Sequence, residues 1–384
     1  MTLRMERALA QLPAVVERYA EGLRALDAGL AAAEQALSGW AADPAGADSL
    51  ISAAMANSPE PYALSFEGSP ADVHAPPPFG AVTVVAADGS SIEPDRFAAV
   101  QCYVLNTGFV ALPYGLAGTP ILDSLPHIGP TQPPPGGDDH GEDELGPAGW
   151  GVNLRRDVAE LDQAARLAQE RAPDGPVVLL LDGTLFPWDL DSPRVAKATR
   201  DDLKERTQDA LDLVYALGEG VSIGAYISGS RSGDVTTSLR ALSNVGGIDW
   251  PSADGHLFAR LLGDGERTAL FRARSERVSR VEKLFSPRHE VCFFYIRIGD
   301  DVARVEVPHW ATAASRVERL HATIIDQCAR CGGYPRALQE AHEQAVISMG
   351  DRLQFSRLLE SEAARHALRS GVNSKQMSKR RRAV

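Results

Sequence analysis

Residues 176–186 read PVVLLLDGTLF. Five branched apolar residues in a row, Val177 to Leu181, with no alternation of polar positions, predict a strand covered on both faces, as in a parallel sheet packed between helices. Asp182-Gly183 ends that strand. A second stretch, AVTVVAADGSS at 81–91, is built the same way: an apolar strand over Ala81–Ala87 closing on Asp88-Gly89-Ser90. An acidic residue at the C-terminal end of a buried strand, followed by a glycine turn, faces the crevice where open α/β sheets place ligands. One such Asp is as readily a turn former. Two in one chain predict converging carboxylates, the oxygen donors that Mg²⁺ and Mn²⁺ take.

Working outward from these strands, 97–112 (FAAVQCYVLNTGFVAL) predicts one or two further strands, and 113–150 a long loop rich in Pro, Gly and acid. A helix over 153–172 precedes the Asp182 strand. Another at 198–218, a strand at 221–228, a helix at 232–242, a hairpin of 293–298 with 302–307 through Gly299-Asp300-Asp301, and helices at 313–330 and 335–359 follow. At the N-terminus, Leu12, Val15, Val16, Tyr19, Leu23, Leu26, Leu30 and Leu37 recur at three- and four-residue spacing, which predicts a long amphipathic helix with Pro13 in its first turn, ended by Asp43-Pro44. The expected organisation is a helical extension over 1–65, an α/β domain over 66–362 and a basic tail over 363–384.

Composition restricts the function classes. Hydrophobic residues are 44% and charged residues 23% of the 384, and no apolar run is long enough to span a membrane. The N-terminus has no apolar signal-peptide core, so a cytoplasmic protein is expected. Four cysteines make no disulfide framework. Cys328 and Cys331 form one CxxC, which without a second pair reads as two structural thiols at a helix end rather than a zinc site. The net charge of −12 argues against a general polyanion binder. Its distribution is uneven: from Ala363 onward there are seven basic residues and no acidic ones, leaving 32 basic against 51 acidic residues elsewhere, a balance of −19. DNA, if bound, must approach a locally basic groove or tail, with salt-sensitive affinity.

Further residue types suited to chemistry lie near the two Asp motifs in sequence. Arg155, Arg156, Glu160 and Asp162 sit on the helix before Asp182, where Glu160 is one turn from Arg156 and forms a helical ion pair as readily as a site; Asp157 and Asp162 compete with it. Tyr334-Pro335 opens a helix carrying Glu340, His342 and Glu343. The LLLDGTLF segment also invites comparison with haloacid-dehalogenase-like phosphatases, whose D-x-D-G-T motif uses the first Asp as nucleophile. Position 180 is Leu, so that nucleophile is missing.

Taken together, Asp88-Gly-Ser, the helix with Arg156 and Glu160, Asp182-Gly, and Tyr334-Pro followed by Glu340-Ala-His342 resemble the NurA family of DNA-end-processing nucleases. YVLNTGF at 103–109 and AYISGSRSGD at 225–234 are similar as well, so the resemblance covers about residues 80–360. It implies an RNase H-like and PIWI-like mixed sheet flanked by helices. It also implies a Mn²⁺-dependent DNA nuclease, Mg²⁺ being the other candidate cation, of the 5′–3′ exonuclease and single-strand endonuclease type. Asp88, Glu160, Asp182 and His342 would then be metal ligands or acid/base groups, Tyr334 would orient a phosphate or a ligand, and Arg156 and Arg231 would contact DNA. The implied partners are a second copy of the chain, DNA, and the HerA hexameric ATPase; no G-x-x-x-x-G-K-[ST] phosphate loop occurs in the sequence, so an ATP-driven step would come from such a partner. A non-catalytic scaffold of the same fold and a phosphomonoesterase relying on Asp182 alone are the competing readings.

Overall fold

The computed structural model describes residues 4–368 apart from 57, 96–97, 131–149, 194, 244 and 246. The chain runs through α1 (Met5–Leu9), α2 (Leu12–Ala42), α3 (Pro44–Met55), β1 (Tyr62–Ser65), β2 (Val73–His74), β3 (Val82–Ile92), β4 (Cys102–Tyr114) and β5 (Ile121–Pro130). Next come α4 (Trp150–Arg171), β6 (Val177–Asp182), α5 (Lys197–Ala216), β7 (Val221–Ile227), α6 (Asp234–Leu242), α7 (Asp254–Leu261), β8 (Arg267–Thr268), β9 (Phe271–Arg274) and α8 (Glu276–Glu282). The last elements are β10 (Val291–Ile298), β11 (Asp301–Pro308), α9 (Ala314–Arg330), α10 (Arg336–Ala345) and α11 (Met349–Arg365).

Two compact units emerge. One comprises Met1–Pro77, Tyr226–Arg280 and Glu290–Thr312; the other comprises Pro78–Ala225, Val281–His289 and Ala313–Val384. The chain thus leaves the first unit and returns to it. In the first unit the antiparallel strands run in the order β1-β9-β10-β11, with Tyr62↔Arg274 to Ser65↔Phe271 fixing β1 on β9. The end of the segment read as helical, 62–65, is therefore a strand. The predicted hairpin is β10–β11, turning at Gly299, whose φ of 58° suits glycine. In α2, Leu30, Leu37 and Trp40 are buried, whereas Leu12, Val15, Val16 and Tyr19 are exposed.

In the second unit β3, β4 and β5 form an antiparallel meander, β6 lies parallel to β3, and the order is β5-β4-β3-β6-β7. A meander followed by helix, parallel strand, helix and strand is the RNase H-like mixed sheet expected from the sequence. Val177 to Leu180 of β6 have no accessible surface, as their unbroken apolar run requires. Helix α4 buries Leu154, Val158, Leu161, Ala165 and Ala168, a stripe at steps of four and three. Each Leu or Val so buried contributes roughly 1.5–3 kcal/mol of transfer free energy.

Three expectations fail locally. Strand β3 does not end at Asp88 but continues to Ile92, because Asp88↔Gly108 through Ile92↔Val104 remain paired with β4. The segment read as a 113–150 loop holds β5, which alternation did not reveal because it is a largely exposed strand with apolar residues on both faces; 131–149 lie outside the described residues. The predicted 335–359 helix is two helices, since Ser348 caps α11 in a reciprocal capping box with Asp351. The basic tail from 369 onward also lies outside the described residues. Among the described residues, no helix is long and apolar enough to cross a membrane.

Candidate active site

The parallel pairing of β3 with β6 stops at Ala87↔Leu181. One residue further on, Asp88 in β3 and Asp182 at the end of β6 line a cavity of about 390 Å³, together with Arg156, Asp157 and Glu160 of α4 and the turn from Gly183. Gly183 has φ 90°, so the chain leaves β6 through a conformation that a side chain would strain, and its backbone N–H donates to the Asp182 carboxylate.

Neighbouring residues on a strand point to opposite faces, and directly paired residues share a face. Asp88 and its partner Gly108 therefore face one helix, and Gly89 faces another. A Cβ on Gly108 would overlap the backbone of Ala341 and Ala345, so α10 packs directly on bare backbone there. Ser90 and Asn106 donate hydrogen bonds to the carbonyl of Ala345 and fix the end of that helix. His342, on the same helix, reaches Asp88 with Nδ1 2.6 Å from Oδ2. On the other face, a Cβ on Gly89 would come within 2.6 Å of Arg156 Cγ and 2.5 Å of Glu160 Oε1. The glycine of Asp88-Gly-Ser is thus not a turn residue: its missing side chain lets α4 bring Arg156 and Glu160 against the strand.

The electrostatics are those of crowded carboxylates. Burial pushes Glu160 well above the usual carboxylate range, and repulsion from Asp157, Asp88 and Asp182 adds to it against the opposing Arg156 charge. Asp182 is raised by burial and by Asp88, while a hydrogen bond from the Tyr334 phenol opposes the shift. Asp157 is raised by burial, with Arg156 acting the other way. Arg156 holds Asp157 at 3.0 Å and Glu160 at 3.3 Å. Tyr334 is pushed up by burial and by the Asp182 charge, so it stays a phenol and a donor.

Asp88, Arg156, Glu160 and Asp182 line the one cavity, and Tyr334 and His342 reach its two aspartates. Arg231 is exposed in the segment after β7 and belongs to the first unit. Of the residues that competed with Glu160, Asp157 lines the cavity beside it, whereas Asp162 pairs with Arg166 at 2.9 Å and Arg206 at 3.4 Å. Sequence reasoning did not assign Asp157, because a helical Asp between an Arg and an apolar residue carries no signal until the helix face is known. Gly108 was missed too; only its register with Asp88 discloses it. Neither Cys328 nor Cys331 is in a disulfide, and Cys331 Sγ lies 2.8 Å from Gln339 Oε1. Among the described residues, no group of three or more His, Cys, Asp and Glu side chains is arranged as it stands to hold a metal ion.

Comparison with known proteins agrees with this architecture. The fold is similar to that of the NurA nuclease from Sulfolobus solfataricus, with a TM-score of 0.52 and 16% identity over 95% of this chain and 98% of that one. More distant likenesses are to the catalytic domain of human endonuclease V, at TM-score 0.35 and 14% identity over 73% of this chain and 85% of that one, and to Aquifex aeolicus Argonaute, at 0.27 and 12% over 70% and 29%. No curated protein matches the chain. The model of the NurA domain matches residues 82–347, from the first residue of β3 to just beyond α10, a span that holds every side chain of the cavity. The chain belongs to the NurA family.

Proposed function

We propose that this protein is a divalent-cation-dependent DNA nuclease that hydrolyses phosphodiesters at DNA ends. The observation that carries the reading is the convergence of four carboxylates, Asp88, Asp157, Glu160 and Asp182, on one cavity at the end of β6, with a single arginine among them. A crowded, partly buried carboxylate cluster in which members are raised toward neutrality is unfavourable for an apo protein and suits a hard cation. The donors are oxygens with one imidazole close by, which fits Mn²⁺ or Mg²⁺ and not a thiolate-seeking metal. Asp88, Asp182 and Glu160 would hold the ion, with His342 beside Asp88. When bound, the cation supplies charge stabilisation at the phosphate and activation of the attacking water.

The protein's own groups supply the rest. With Nδ1–H donating to the Asp88 carboxylate, the His342 ring presents Nε2 as a proton acceptor, and the side chain is 65% exposed, within reach of water. Tyr334 fixes the Asp182 carboxylate by donating to it. The proposed cleavage modes are 5′–3′ exonuclease and single-strand endonuclease. The protein is proposed to act as a homodimer in double-strand-break repair and to receive DNA from a HerA-like hexameric ATPase, since its own sequence carries no phosphate-binding loop for ATP.

The test is cleavage of linear and circular DNA by purified protein in Mn²⁺, Mg²⁺ or EDTA, alongside Asp88→Ala and Asp182→Ala. Cleavage is expected only with a cation and is expected to fall on the order of a thousandfold in both variants, the loss of several kcal/mol of transition-state stabilisation. Cleavage surviving both substitutions would overturn the site. No cleavage with any cation, alone or with the ATPase present, would leave a DNA- or translocase-binding scaffold.

A further inference from the structure

We propose that Arg156 is the built-in counter-cation of the carboxylate cluster, and that a divalent cation binds by displacing its guanidinium from Asp157 and Glu160. This rests on the cation-dependent nuclease reading and deepens it, by stating what holds the cluster together before a metal arrives. Four carboxylates line the cavity, and Arg156 is the basic residue that lines it with them. Its Nη2 is 3.0 Å from Asp157 Oδ1 and its Nε 3.3 Å from Glu160 Oε1, and Asp88 also acts on its charge. Its aliphatic stem lies on Gly89, next to Asp88. The adjacent Arg155 is engaged elsewhere: it donates to Thr199 Oγ1 at 3.1 Å and sits over the Tyr103 ring.

The contacts are of a kind that yields. The Arg156–Glu160 approach lacks hydrogen-bond geometry, and the buried Nε–H has no acceptor in line. A helical pair at this spacing is worth only a few tenths of a kcal/mol. A fixed guanidinium among the ligands repels a doubly charged ion, so the two positive groups exclude each other from the same oxygens. Once released, the planar fork is suited to a phosphate oxygen pair, which would couple cation loading to substrate contact.

The experiment measures Mn²⁺ binding to the full chain without DNA, by calorimetry and by the electron paramagnetic resonance of free Mn²⁺, for the wild type, Arg156→Met, Arg156→Gln and Arg156→Lys. Both neutral variants should bind Mn²⁺ about tenfold more tightly, the scale of one like charge removed at close range in a partly solvated site. Arg156→Lys, which keeps the charge, should stay near the wild type. The neutral variants should nonetheless cleave DNA more slowly at saturating Mn²⁺. Unchanged or weaker Mn²⁺ affinity in both neutral variants would overturn the inference while leaving the nuclease reading intact. No Mn²⁺ binding by the wild type would overturn the cation requirement and this inference with it.

Discussion

Each of the two units contains a cluster of acidic groups around one arginine, and the two clusters differ in how completely their charges are met. In the first unit Arg304 Nη1 is 2.8 Å from Asp234 Oδ2 and its Nε 3.0 Å from Glu306 Oε1, with the guanidinium over the Phe293 ring. Asp254 accepts from the backbone N–H of Val235 and Thr236, from the Thr236 hydroxyl, and from the Tyr295 phenol at 2.7 Å. Every one of these groups is buried. In the second unit Asp88, Asp157, Glu160 and Asp182 share Arg156, the Tyr334 phenol and His342, and their cavity is open to solvent. Acid content does not separate the two. What separates them is that the first cluster is met by an arginine, backbone N–H groups and hydroxyls in a buried site, while the second is less completely met and is accessible to an ion from solvent.

The largest expected effect comes from breaking the satisfied cluster. Arg304→Met leaves Asp234 and Glu306 buried without their cation and should cost about 3–5 kcal/mol of folding stability, read as a fall in the urea midpoint. Arg156→Met, in the open cluster, should cost less than about 1 kcal/mol by the same measurement. Equal losses would remove the distinction.

The pH response sharpens it further. Asp254 is raised to about 6, by burial first and by the Asp234 charge second, with the hydrogen bonds from the Thr236 hydroxyl and backbone and from the Tyr295 phenol opposing. Its folded value exceeds the unfolded one, so its contribution to stability is complete below about pH 4 and is lost as pH rises through 6. That displacement corresponds to about 3 kcal/mol. A carboxyl carbon NMR titration of Asp254 should show a midpoint near 6 that Mg²⁺ does not move. The midpoints of Glu160 and Asp182, raised by burial and by neighbouring carboxylates, should drop on adding Mg²⁺. An Asp254 midpoint below 4 would show that its donors outweigh its burial.

Gly108→Ala tests whether the open cluster depends on α10. The added methyl group overlaps helix backbone, so α10 must shift and carry His342 away from Asp88. A stability loss of about 1–3 kcal/mol from overpacking is expected. Cleavage should fall about 10–100-fold, the cost of misplacing a supporting group. Full activity in Gly108→Ala would remove His342 from the site.

How far the sequence carried these clusters follows from the same geometry. The unbroken apolar run before Asp182 discloses both the strand and its carboxylate, because burial on two faces and a glycine exit leave local marks. Asp88 is legible through the apolar run before it, although Gly89 is no exit and the strand continues four residues past Asp88, since pairing to β4 is a long-range property. Glu160, His342 and Tyr334 stand out through resemblance and not through pattern. Gly108, Asp157 and the Arg304 network are illegible in sequence: what each does depends on a register or a helix face set by residues far away in the chain. Strand β5 and the break between α10 and α11 were missed where exposure hides the period of the pattern and where a capping box interrupts what composition would continue.

The smallest expected effect is the most discriminating. Glu160→Gln removes a largely buried charge whose neighbours repel it, while Arg156 keeps Asp157 as partner. In EDTA the variant should be more stable than the wild type by about 1 kcal/mol in urea unfolding, the direction expected where a site retains charge for function at the expense of stability. In Mn²⁺ the order should reverse, because the wild type gains the binding free energy of the ion and the variant loses a ligand. The sign change on adding the cation has no counterpart in the Arg304 cluster, where no external ion enters. If Glu160→Gln instead loses stability in EDTA on the scale of Arg304→Met, the Arg156–Glu160 pair is as structural as the buried one, and the second cluster has no charge left over for a cation.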